Sequence, residues 1–90
     1  MSSVTITFDG TTVTPETTDV KKLKNVKFVN DNSRDEEVNF PEGESPFDEC
    51  HYTIPANGHI KLEAKNAGNF TFSFYEDGGE DPSGEIIVTR

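Results

Sequence analysis

The chain reads as an all-β domain, a sandwich or barrel of seven or eight short strands. Three observations point there. Apolar residues recur at every second position in run after run, the spacing that puts alternate side chains on one face of a half-buried strand. Clusters of Gly, Pro, Asn and Asp separate the runs. No apolar pattern at helical spacing extends beyond two turns, and short strands at this spacing are the signature of sandwiches and barrels.

Taken in order, Val4, Ile6 and Phe8 alternate with Thr5 and Thr7 before the turn Asp9-Gly10. Between Val20 and Asp31, Val26 and Phe28 alternate with Asn25 and Lys27, and Lys22 and Lys24 are expected to share a strand face. The turn Asn30-Asp31-Asn32-Ser33 leads to "EEVNF" at 36–40. From Asn39 to Thr53 the chain is irregular and acidic, which predicts a long connection or a short edge strand. Ala56-Asn57-Gly58 then precedes Ile60, Leu62 and Ala64, Ala67-Gly68 precedes Phe70, Phe72 and Phe74, and Gly78-Gly79 precedes Ile86 and Val88. Phe70, Phe72 and Phe74 are expected in the core.

Ninety residues make one domain, 1–90, with room for a single core. Only 31% of the chain is apolar, but seven Phe and two Tyr concentrate that content in large side chains. Seventeen acidic against eight basic residues give a net charge of −9. That balance speaks against nucleic acid and anionic membranes, which need a basic footprint. It suits solubility, a divalent cation or a cationic partner. Five of the bases fall at Lys21, Lys22, Lys24, Lys27 and Arg34, either a solvated edge or a docking patch for an acidic partner. One cysteine, Cys50, permits no internal disulfide. "MSSVTITFDG" lacks the basic and apolar regions of a secretory signal. The expected compartment is the cytoplasm if Met1 is the native start, and the periplasm or exterior if a leader was trimmed. A monomer is expected.

The order of the pieces resembles the cupredoxin family, the small blue-copper β-sandwiches related to plastocyanin. The residues that carry the resemblance are "VTP" (13–15), "VKKLKNVKFVND" (20–31), "EEVNF" (36–40), "TIPANGHIKLEA" (53–64), "GNFTFSF" (68–74) and "SGEIIV" (83–88). They span nearly the whole chain, and the resemblance implies a Greek-key sandwich. It also implies where the copper ligands of the family would fall: the first His at Glu36, the Cys at Phe74, the second His at Asp77 and the axial Met at Pro82, followed by a Gly at Gly84. A blue-copper site needs one thiolate and two imidazoles in a trigonal set, with a weak axial thioether. All four ligands are missing.

The chain's one Cys, two His and one Met match that set by number. Their positions do not: Met1 is the first residue, and Cys50 and His51 are neighbours that face opposite sides of a strand. The expected function is therefore a non-catalytic binding or interaction module, without a cofactor, whose type 1 site and electron transfer are lost and whose partner is a protein. The alternative is a divalent-metal protein, for Ca²⁺ or a remodelled copper site, using Glu36, Asp77, Glu80, Asp81 and His59 where the loops gather. Ca²⁺ takes six to eight oxygen ligands, which such a cluster offers, but Asp77-Gly78-Gly79-Glu80-Asp81 lacks the spacing of a calcium-binding loop. No nucleophile elbow or metal-ligand spacing points to catalysis.

Overall fold

A computed structural model describes residues 4–74 and 82–90. Among these residues nine strands form two sheets: β1 (Val4–Phe8), β2 (Val13–Thr14), β3 (Thr17–Lys21), β4 (Asn25–Asn30), β5 (Glu36–Asn39), β6 (His51–Ile54), β7 (His59–Glu63), β8 (Gly68–Phe74) and β9 (Ser83–Thr89). Sheet one has the order β2-β1-β4-β7 and sheet two the order β3-β9-β8-β5-β6. The count exceeds seven or eight because the chain next to Pro15 forms the two-residue β2 separately from β3. The irregular stretch after Asn39 supplies both predicted alternatives, a long connection and the edge strand β6.

Both sheets are mixed. β1 lies parallel to β4, with Ile6 beside Phe28, and β3 lies parallel to β9, with Val20 beside Val88. Alternation decides which side chains meet between the sheets. Ile6, Phe8, Val26 and Phe28 of sheet one face Val38, Phe72, Phe74, Ile86 and Val88 of sheet two, all buried. Six of the seven Phe are in this core, and Phe70 packs partly buried against it. Phe28 meets Phe72 and Phe47 edge-on, with ring centroids 5.6 and 6.0 Å apart. Edge-to-face contact adds about 0.5–1.5 kcal/mol per pair beyond area burial. Gly84 stands opposite Phe72 because a Cβ there would lie 2.6 Å from the ring and 3.0 Å from the Glu16 carbonyl.

Lys22 and Lys24 do not share a strand face. β3 ends at Lys21 and β4 begins at Asn25, and the three residues between them form a tight turn with Leu23 at φ 74°. Lys24 N–H closes it on the Lys21 carbonyl at 3.0 Å.

Asp9 holds the turn between β1 and β2. Its carboxylate accepts the Thr12 and Thr11 N–H groups at 2.8 and 2.9 Å and both threonine hydroxyls at 3.1 Å. These bonds, that of the Thr12 N–H foremost, lower its pKa from 3.8 to about 2. A carboxyl with a depressed folded pKa stabilises the fold fully above its unfolded value, and the contribution disappears as pH falls through the folded one. The melting-temperature gap between the protein and Asp9→Ala is therefore constant above about pH 5 and closes between about pH 4 and 2. Scanning calorimetry across that range checks it; a gap that widens in acid contradicts the assignment.

Candidate functional site

The end of the sandwich where β4 meets β5, β6 meets β7, and β8 and β9 approach each other is built around Asn30. Asn30 alternates inward after Val26 and Phe28 and is fully buried. Its Nδ2 donates towards three carbonyls, those of Arg34 at 2.8 Å, Ile54 at 3.1 Å and Pro55 at 3.2 Å. Its own N–H reaches the Gly58 carbonyl at 2.8 Å. One amide thus ties the loop after β4 to the turn after β6. Two further bonds repeat the tie: Asn57 N–H to the Asn32 carbonyl and Ala56 N–H to Asp35 Oδ1, both 2.9 Å. Asn57 accepts the left-handed backbone this needs, at φ 55°. Asp31 N–H binds the Phe8 carbonyl at 2.7 Å. Gly10, at φ 103°, passes so close to Asn32 that a Cβ would lie 3.1 Å from its amide.

Glu36 opens β5 with its side chain inward, 5% exposed. Its carboxylate accepts a hydrogen bond from Asn32 Nδ2 and another from Arg34 Nε at 3.2 Å. A buried carboxylate persists where a cation and a donor satisfy it. Asp35 and Glu37 flank it but face elsewhere, Asp35 towards Ala56. The three adjacent acids therefore do not converge.

Phe74, the last residue of β8, is 0% exposed. It stacks on Phe8 with centroids 4.2 Å apart and planes 8° from parallel, and meets Phe72 edge-on at 5.9 Å. Its N–H binds the Pro82 carbonyl at 2.8 Å, which sets Pro82 beside it. Asp77, Glu80 and Asp81, like Gly78 and Gly79, lie outside the described residues. His59 is exposed on β7 opposite Val29, near this end. Cys50 and His51 are at the other end of β5, since Asn39 pairs with His51 while Glu36 pairs with Ile54. Cys50 Sγ points at the Pro41 carbonyl, 3.6 Å away. Among the described residues no three His, Cys, Asp or Glu side chains gather closely enough to hold a metal ion.

One arrangement has no signal in the sequence. His51 Nδ1 lies 2.6 Å from Asn39 Oδ1 across the β5–β6 ladder, and with Ser73 and Ser83 they line an open depression of about 300 Å³ on the outer side of sheet two. The register of two strands separated by an irregular segment brings this pair together, and local spacing carries no trace of it.

No family model matches the chain, and no curated protein does. Solved structures do. The copper(I) form of a methionine-to-alanine variant of amicyanin superposes with a TM-score of 0.77 at 15% identity, over 96% of this chain and 81% of that one. The reduced copper(I) form, at pH 4, of a proline-to-glycine variant gives 0.76 at 14% identity, over 98% and 83%. An oxidised methionine-to-leucine variant gives 0.75 at 15%, over 94% and 80%. Identity at this level speaks for backbone architecture alone, and the two mixed sheets, their strand order and these superpositions agree: the chain is an all-β sandwich with the cupredoxin fold.

Proposed function

We propose that this chain is a non-catalytic binding module on the cupredoxin fold, in which protein side chains occupy the space of a type 1 copper site. The observation that carries the reading is the burial of Phe74, stacked on Phe8, at the position the resemblance assigns to the copper thiolate. A ring there supplies no donor. Glu36, at the position of the first imidazole, is already satisfied by Arg34 and Asn32. The chain's own thiol and His59 sit at opposite ends of the sandwich, so the donor set of a blue site, one thiolate with two imidazoles, does not assemble from them. Without that couple, electron transfer through a type 1 centre has no carrier, and what remains is a rigid scaffold presenting its surfaces to a protein partner.

The test restores the ligands. Glu36→His, Phe74→Cys, Asp77→His and Pro82→Met, made together, recreate the family's set at the positions the resemblance assigns. With Cu²⁺ near neutral pH, where imidazole is free to bind metal, the quadruple variant develops the intense visible thiolate-to-copper absorption and the parent does not. Blue colour from the untouched parent overturns the reading. A folded variant that binds copper without this absorption shows that the loops no longer converge on a ligand geometry.

A further inference from the structure

The outer face of sheet one carries an arrangement that neither packing nor edge protection explains. Lys27 on β4 stands directly opposite Lys61 on β7, with Thr5 of β1 on its other side. Like charges paired across a sheet destabilise it. Among the described residues neither lysine forms an ion pair, in a chain with 17 acids to eight bases. Lysine on an outermost strand keeps two copies from pairing edge to edge, which accounts for Lys61. β4 is interior to its sheet, so Lys27 protects no edge. His59 continues the same face beyond Lys61, beside Val29. Between the lysine pair and the turn before β4, Glu63 stands opposite Asn25 on the same face, with its carboxylate 4.0 Å from Lys65 Nζ.

The row leads to the turn at 22–24. Leu23 there is 61% exposed, the one large apolar side chain so exposed among the described residues. Its φ of 74° is a conformation that a bulky side chain rarely adopts and that Gly or Asn takes with less strain. Both sheets hold it there. Lys22 N–H binds the Thr89 carbonyl at 2.7 Å, Leu23 N–H the Ala64 carbonyl at 2.6 Å, and Ala64 N–H the Lys24 carbonyl at 2.9 Å. A leucine is thus fixed in water between two exposed lysines.

We propose that this strip, Leu23 with Lys22, Lys24, Lys27, Lys61 and His59, docks an acidic protein segment that carries apolar side chains. The inference rests on the reading of the chain as a binding module and names its partner. Carboxylates of the segment answer the unpaired lysines, and an apolar side chain covers Leu23. An extended segment is narrow enough to meet the strip alone. A membrane or nucleic-acid duplex spreads its charge beyond the strip, and at a Debye length of about 8 Å it also meets the carboxylates around it, in a protein of net charge −9.

The probe is a fluorescein-labelled peptide of about ten residues with aspartates at alternate positions and a leucine at one end of that same row, so that an extended chain turns both kinds of side chain to the strip. It is titrated into the full chain and followed by anisotropy and amide shifts. The expected result is saturable binding that weakens with salt, with shifts confined to residues 21–27 and 59–63. Lys27→Glu replaces a repelling pair with an attracting one, so it raises the melting temperature while weakening binding roughly tenfold, a difference of about 1.4 kcal/mol. Leu23→Gly likewise raises the melting temperature and weakens binding several-fold. Residues that serve only the fold do not give gained stability together with lost affinity. No saturable binding at millimolar peptide overturns the proposal. So do shifts located elsewhere, unchanged affinity in both variants, or tighter association with phosphatidylserine vesicles than with the peptide. A blue parent protein would remove the copper reading and leave these outcomes standing, and a peptide that fails to bind leaves the copper reading untouched.

Discussion

Replacing Phe74 with alanine costs the fold about 3–5 kcal/mol, the range for truncating a large aromatic in a packed core. The ring is fully buried, lies flat on Phe8 and abuts the edge of Phe72. Its removal therefore leaves a cavity bounded by two rigid rings that are poorly placed to collapse into it. A domain of this size has about 5–15 kcal/mol in total, so the variant sits near the limit of folding. Urea denaturation monitored by circular dichroism reads the change as a lower midpoint at unchanged slope. A loss below about 1 kcal/mol is the size expected of a surface position, and would show that the ring does not fill the end of the core.

The second large effect belongs to Asn30→Asp. The substitution keeps the shape of the side chain and exchanges its donor for a carboxylate oxygen facing the carbonyls of Arg34, Ile54 and Pro55. Two costs combine: buried carbonyls lose their donor, and a charge is buried beside the negative ends of several dipoles. An uncompensated buried charge costs about 3–5 kcal/mol, and the value expected at neutral pH lies in that range. Stability recovers in acid, because a protonated carboxyl can again donate to one of those carbonyls. Equilibrium unfolding at pH 7 and pH 4 gives the comparison. Equal losses at both pH values would mean that missing hydrogen bonds, and not charge, dominate.

The sandwich was legible in the sequence wherever a strand has one wet face and one buried face. Val26 and Phe28 against Asn25 and Lys27, or Phe72 and Phe74 against Thr71 and Ser73, announce both the strand and its inward side. The turn at Lys22-Leu23-Lys24 was not legible, because none of these residues is a turn former. The local bond from Lys24 to Lys21 is joined by bonds to Thr89 and Ala64, far along the chain, and together they hold Leu23 in a left-handed conformation. Glu36 reads in sequence as one more acid of a charged loop. Its burial follows from alternation with Val38 and from Arg34 two residues earlier, a local pair whose meaning depends on the strand pointing inward. Asn30 was visible as part of the family pattern, but its three carbonyl partners include two beyond position 50. The part of the predicted acidic cluster that falls at Asp77, Glu80 and Asp81 lies outside the described residues.

The two parallel pairings also set how the chain reaches its fold. Thr17 on β3 finds Glu85 on β9, and β9 brings Ile86 and Val88 to close the core. Among the described strands β3 has no other neighbour, so no nearby hairpin incorporates it and it waits for β9 to arrive. Contacts this remote in sequence place the domain with all-β proteins of high contact order, which fold in milliseconds to seconds. Until β9 docks, β3 and β8 each present an unpaired edge. The interval before closure is the stage at which a newly made chain is most exposed to association with its neighbours.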